Sequence, residues 1–213
     1  MKTIIWDWNG TLLDDAETCR AVMNRMLTRR GLPPIADLEH YREIFTFPVK
    51  DYYALAGLDL HREPFKELAA EYMADYTQAA RACTLRSGAV EVIEELRGMG
   101  CAQFLASASE QSDLDRQLEE QGLTGRFEAA LGISDRLGGG KAGLAYRYLK
   151  SCEIPPENVI FIGDTLHDFE VAQSIGCACI LLAGGHQSRK KLLVSGAPVL
   201  EELSEIKTVI KLK

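Results

Sequence analysis

Thr3-Ile4-Ile5-Trp6-Asp7-Trp8-Asn9-Gly10-Thr11-Leu12-Leu13-Asp14-Asp15 is an almost unbroken apolar run that delivers one carboxylate and then turns. A short apolar segment closed by a turn signal reads as a buried strand, and Asn9-Gly10 supplies the tight turn. Asp7 is therefore expected at the mouth of a sheet. Trp6 and Trp8 flank it and are expected to pack, one against each side of that sheet. Four more runs, Ala102–Ala106, Ala129–Ile133, Val159–Gly163 and Ala178–Leu182, have the continuous apolar character of parallel strands covered on both faces. Amphipathic stretches at Ala89–Met99, Gln111–Gln121, Gly143–Ser151 and Leu166–Ile175 separate most of them. The alternation predicts an α/β fold with a Rossmann-like, doubly wound parallel sheet, whose ligands sit at the carboxyl ends of the strands.

One crossover breaks the rhythm. Between the first two strands, helical patterns run over Thr18–Arg30, Asp37–Phe45, Val49–Ala56 and Glu63–Ala80, punctuated by Gly31-Leu32-Pro33-Pro34 and Gly57. A parallel crossover needs only about a dozen residues. The excess predicts an inserted helical cap over residues 15–83, above the active-site edge of a core made of residues 1–14 and 84–213. Hinges are expected at Leu13–Glu17 and Ala82–Gly88. Leu200–Lys213 reads as a closing helix with a basic tail.

The chain has 213 residues, 46% apolar and 26% charged, with a formal charge of −7. Such a field discourages nucleic acid and anionic membranes as partners, and it repels phosphorylated substrates unless local cations intervene. Six cysteines are scattered without a CxxC pair or zinc-spaced histidines, the pattern of reduced packing residues in a cytoplasmic protein. The first strand starts too early to leave room for a signal peptide, and no apolar run approaches the ~20 residues that span a bilayer. Nothing in the pattern assigns an oligomeric state.

Three further segments fall at strand ends. Ser107 ends Phe104-Leu105-Ala106-Ser107; Lys141 opens a helix after Leu137-Gly138-Gly139-Gly140; Gly163-Asp164-Thr165-Leu166-His167-Asp168 follows Val159-Ile160-Phe161-Ile162. With Asp7-Trp8-Asn9-Gly10-Thr11-Leu12, and in this order over nearly the whole chain, they resemble the four motifs of the haloacid dehalogenase (HAD) superfamily. The first of those motifs has the form DxDGT(L/V), the fourth GDxxxD. The inserted helices resemble the caps of subfamily I, and the whole is similar to the phosphoglycolate-phosphatase branch. The resemblance implies a Mg²⁺-dependent phosphohydrolase of a small phosphorylated metabolite, working through an aspartyl-phosphate. Asp7 would be the nucleophile, and Asp7, Asp164 and the backbone carbonyl of Asn9 would hold the metal. Asp168 would reach the metal through water or orient Lys141, while Thr11, Ser107 and Lys141 would bind phosphate. Oxygen ligands of this kind suit a hard, octahedral cation.

One position departs from the pattern: Asn9 stands where HAD phosphatases keep the aspartate that serves as general acid and base. Such a group contributes typically 10²–10⁴-fold, or about 3–5 kcal/mol of barrier. Its loss predicts a slow enzyme, or one selective for leaving groups that depart as stable anions; Asp14 or Asp15 would be the substitutes at hand. Phe47-Pro48-Val49-Lys50-Asp51 resembles a cap specificity loop, which makes Lys50 a candidate for the distal end of the substrate or a solvated helix-start lysine. Two alternatives stand beside the phosphatase. One is a regulatory HAD protein that binds phosphate without turnover. The other is phosphonoacetaldehyde-hydrolase-like C–P cleavage through a Schiff base on Lys50. His167 lies within the fourth motif, whereas His40, His61 and His186 show no partner spacing. Gly138-Gly139-Gly140-Lys141 fails as a nucleotide loop, because Ala142 and Asp135 occupy its hydroxyl and first-glycine positions.

Overall fold

The structure, a computed structural model, describes residues 2–133 and 140–210. β1 (Thr3–Trp6) lies at the centre of a six-stranded sheet with β4 (Ala102–Glu110), β5 (Ala129–Ile133), β6 (Val159–Gly163), β7 (Ala178–Leu182) and β8 (Val199–Leu200). The order is β5-β4-β1-β6-β7-β8 and every pairing is parallel. The chain runs outward from β1 in one direction and then from β6 in the other. The carboxyl ends of β1 and β6 therefore flank the topological switch point, the crevice where such sheets bind ligands.

Alternation along β1 sorts its side chains between two cores. Ile5 joins Phe104, Phe161, Val171 and Leu181 on one face, with α7 (Gly140–Ser151) and α8 (Leu166–Ile175). Ile4, Trp6 and Trp8 join the other, with α5 (Ala89–Gly98) and α6 (Gln111–Glu120). The two tryptophans thus share a face rather than bracket the sheet, as residues two apart in extended chain must. Each indole N–H finds a buried glutamine, Trp6 donating to Gln103 Oε1 at 2.9 Å and Trp8 to Gln117 Oε1 at 2.6 Å.

Between β1 and β4 lie α1 (Ala16–Arg29), α2 (Leu38–Ile44), α3 (Val49–Leu55) and α4 (Phe65–Ala79). They are framed by a two-stranded antiparallel ribbon, β2 (Leu13–Asp14) against β3 (Thr84–Leu85). The lobe has no core of its own. Met23, Tyr41, Tyr52 and Tyr76 continue the apolar cluster that begins at Trp6 and Trp8. Arg30 ties α1 to the lobe's last helix and the turn before it, with Nε and Nη2 on Glu63 and Nη2 on Glu71, each at 2.7 Å.

The C-terminus departs from the single closing helix expected there. Leu200 ends β8, and the last helix, Ile206–Val209, is one short turn whose Ile206 is buried in the core that holds Trp6 and Trp8. Among the described residues, no helix is long and apolar enough to cross a membrane.

Candidate active site

β1 ends one residue before Asp7, whose backbone N–H continues the ladder by donating to the Ile162 carbonyl at 2.8 Å. β6 ends at Gly163, so Asp164 emerges beside Asp7. Gly10 closes the turn after Asp7 with φ +72°, and a Cβ there would lie 2.4 Å from Asp164 Oδ2. Both constraints require glycine. Asp168 caps α8: its Oδ2 accepts from the Thr165 N–H at 2.9 Å and the Thr165 hydroxyl at 2.7 Å. This capping box leaves Oδ1 for Lys141, which donates at 2.5 Å from the first turn of α7 and also donates to Asp7 Oδ1.

Four of the expected site residues, Asp7, Lys141, Asp164 and Asp168, thus meet in one buried cluster, lining a cavity of about 90 Å³. Thr11 joins from beneath, with its hydroxyl 3.0 Å from both Asp7 Oδ2 and Asp164 Oδ1. One hydroxyl proton cannot serve two carboxylates at once. Burial, and then the charges of Asp168 and Asp164, push Asp7 up to about 7 although Lys141 opposes the rise. Burial raises Asp164 as well, while Lys141 overcomes burial at Asp168 and holds it low. Lys141 stays protonated because its two carboxylates outweigh its own burial.

Three carboxylates facing one ammonium leave the cluster short of positive charge. Oxygens of Asp7, Asp164 and Asp168 lie within 4.8 Å of one another, a donor set suited to Mg²⁺. The residues present fit the cation that the motifs imply.

Asn9 is held from three sides. Its Nδ2 donates to Asp15 Oδ2 at 2.8 Å and to the Tyr76 hydroxyl at 2.7 Å, and its Oδ1 accepts from Ser109 Oγ at 2.8 Å. Asp15 is fully buried at the centre of this network. It also accepts from the Gly10 N–H and the Tyr76 hydroxyl, and faces His186 Nε2 at 3.3 Å. Burial alone would lower the His186 pKa and raise that of Asp15. Their mutual attraction wins, pushing the imidazole up to about 9 and the carboxyl below its usual range. Tyr41 meets the other ring nitrogen of His186 at 2.8 Å, and Phe45 stacks on the ring. The lobe thereby closes over the crevice.

Other expected residues fall elsewhere. Ser107 is buried behind the site and accepts from the Ser109 N–H at 3.1 Å, lining neither cavity at the cleft. Lys50 is exposed and also lines neither; its loop delivers Phe47 and Val49 instead. Asp14 is exposed on β2, leaving Asp15 as the acid beside Asn9. His167 lines the Asp7 cavity and stacks on Phe47 with ring centroids 4.6 Å apart. The stretch Leu137-Gly138-Gly139 lies outside the described residues. His186, Tyr41, Tyr76 and Ser109 escaped the sequence reading. The one signal for His186 was Gly184-Gly185-His186 just beyond a strand end, where chemistry gathers in such sheets.

A doubly wound sheet presenting these aspartates and a lysine at its switch point defines the class, and family comparison agrees. Residues 4–182 match the profile of the haloacid dehalogenase-like hydrolases, and the chain belongs to that family. The phosphoglycolate phosphatase of Pseudomonas savastanoi pv. phaseolicola is 28% identical over 209 residues, covering 94% of this chain and 74% of that protein. The tyrosine-protein kinase PtkA of Mycobacterium tuberculosis is 26% identical over 213 residues, covering 96% and 72%. Among solved structures, the haloacid dehalogenase-like family protein SP0104 of Streptococcus pneumoniae shares the fold with a TM-score of 0.85 at 19% identity, over 99% of both chains.

Proposed function

We propose that the protein is a cytoplasmic, Mg²⁺-dependent phosphatase of a small phosphorylated metabolite, similar to phosphoglycolate phosphatases, acting through an aspartyl-phosphate on Asp7. The observation that carries this reading is the placement of Asp7 at the switch point, one oxygen against Lys141 and the other against Thr11, within reach of Asp164 and Asp168. A carboxylate oxygen of Asp7 attacks phosphorus and the bond to the leaving oxygen breaks. Water then attacks the same phosphorus, the bond to Asp7 breaks, and phosphate departs. Lys141 sets its positive charge beside the phosphoryl oxygens, and Thr11 offers a donor. Asp7, Asp164 and the Asn9 carbonyl would hold Mg²⁺, which neutralises charge between the nucleophile and the phosphoryl group. Asp168 orients Lys141.

The Asn9 amide neither gives up nor takes a proton near neutral pH, and Asp15 is fixed by its own partners with its pKa depressed, which makes it a weak base. Leaving groups that need protonation are therefore turned over slowly. The test is Mg²⁺-dependent phosphate release from acetyl phosphate, with mass spectrometry of acid-quenched enzyme locating a phosphoryl group on Asp7. Phosphate binding without any turnover would instead make the protein a regulatory member of the family.

A further inference from the structure

Beside the Asp7 cavity lies a larger one of about 270 Å³. Asn9, Phe45, Phe47, Ala108 and His186 line both, so the two cavities adjoin. An apolar protein cavity of about 150 Å³ is enough to take benzene. The far wall, carried on α3 and α4, is made of rings and one thioether: Tyr53, Phe65, Tyr72 and Met73. No lysine or arginine is among the described residues that line it, whereas Asp15 and Glu110 are. A carboxylate or second phosphate on the leaving group would meet their repulsion, and the His186 imidazolium that also lines the cavity is already engaged by Asp15 at 3.3 Å. Asn9, Ser109, Asp15 and Tyr76 already bond to one another and so offer little to sugar hydroxyls.

We propose that the leaving group is aromatic, and that this cavity seats the ring of an aryl phosphate monoester whose phosphoryl group lies at Asp7. The inference rests on the phosphatase reading and narrows its substrate class. It also agrees with the chemistry at Asn9. When Asp7 forms its bond to phosphorus, the phosphorus–oxygen bond to the ring breaks and the aryl oxide leaves with the electron pair. That anion is stabilised by the ring and takes its proton afterwards from water, with no acid required from the enzyme. Water then cleaves the aspartyl-phosphate. Ring faces along the wall offer the offset and edge contacts that aromatic ligands prefer.

The experiment compares kcat/KM for phenyl phosphate, 2-naphthyl phosphate, acetyl phosphate and phosphoglycolate, using the full chain with Mg²⁺. Phenol and 2-naphthol are of similar acidity, so the ratio of the two aryl esters reports the cavity rather than the chemistry. We expect the naphthyl ester to exceed the phenyl ester by about tenfold or more, through KM. Met73 is 40% exposed, so its replacement is compatible with folding. Met73→Arg should lower kcat/KM for the naphthyl ester about tenfold, and Met73→Leu should retain it. A naphthyl-to-phenyl ratio near one, or a preference for phosphoglycolate over both aryl esters, overturns the inference and leaves the phosphatase reading standing. Absence of phosphate release from all four overturns the phosphatase reading instead. Calorimetry with 2-naphthylphosphonate and methylphosphonate then decides the cavity: binding of the naphthyl compound at least about tenfold tighter supports it, and equal binding overturns it.

Discussion

The two cavities that meet at Asn9 share five lining residues and little else. The one at Asp7, about 90 Å³, is walled by carboxylates and a lysine fixed at strand ends and helix starts. The other, about 270 Å³, is walled by rings on helices of the inserted lobe. In the first, the backbone determines position: the sheet ends, a residue follows, and its side chain faces the crevice. In the second, position depends on how four helices pack against a core they share with the sheet. The first is built to handle charge, the second to accept or refuse what is attached to it.

The sharpest break between the two regions comes from Asp7. Asp7→Ala should reduce phosphate release about 10⁴-fold or more for every ester, since it removes the nucleophile. Loss confined to some esters would mean that reaction does not pass through Asp7. At the boundary, Asn9→Asp should raise turnover of an alkyl phosphate by about 10²-fold. The same substitution would set a second carboxylate against Asp15 Oδ2, now 2.8 Å from the Asn9 amide. Like charges so placed oppose each other, and the variant should lose about 1–3 kcal/mol of stability. Asp15→Asn, which also removes the partner of His186, should cost less stability in the Asn9→Asp chain than in the parent, a coupling measurable by a double-mutant cycle. An Asn9→Asp enzyme no faster than the parent would refute the acid/base account of this position.

The Asp15–His186 pair joins lobe-facing to core-facing groups and predicts a pH profile. The imidazole is raised from 6.5 to about 9 in the folded protein, so its contribution is full below pH 6.5 and is lost as pH rises through about 9. Asp15 is lowered from 3.8, so its contribution is present above 3.8 and is lost as pH falls through the lower folded value. The melting temperature should therefore fall between pH 6.5 and 9 in the parent. His186→Gln should flatten that fall while lowering the plateau by several degrees, at about 2–8 °C per kcal/mol. Equal slopes in both proteins would show that the pair is not an ion pair.

The same division governs what the sequence made legible. Asp7, Asp164, Asp168 and Lys141 could be placed because each directly follows a strand or opens a helix, and local pattern determines those junctions. β8 was missed because two residues, Val199 and Leu200, carry no periodicity, and the ribbon β2–β3 is equally short. Ser107 matches the strand-ending serine of the second motif, and the irregular register between Ala106 and Glu110 carries β4 three residues beyond it. The residue at its end that reaches Asn9 is Ser109. Lys50 stands in a stretch that resembles a cap specificity loop, but helix α3 turns it to solvent while Val49 faces inward. His186 and Asp15 are 171 residues apart and meet only in the folded chain. No spacing rule could pair them.

Tyr52 offers the gentlest test of how apolar the lobe-side cavity is. It lines that cavity, is 1% exposed, and its hydroxyl meets no hydrogen-bond partner among the described residues. A buried hydroxyl without a partner loses the hydrogen bonds it made to water, a loss of about 1–3 kcal/mol. Removing it should therefore be neutral or favourable. Tyr52→Phe keeps the ring and its edge contact with Tyr41, centroids 5.7 Å apart. It should change stability by no more than about 1 kcal/mol in the stabilising direction, read by urea unfolding. A destabilisation beyond about 1 kcal/mol would mean that the hydroxyl has a bound water as partner. The wall would then be wetter than its residues indicate, and the contrast between the charged cavity and the aromatic one would narrow to a difference of degree.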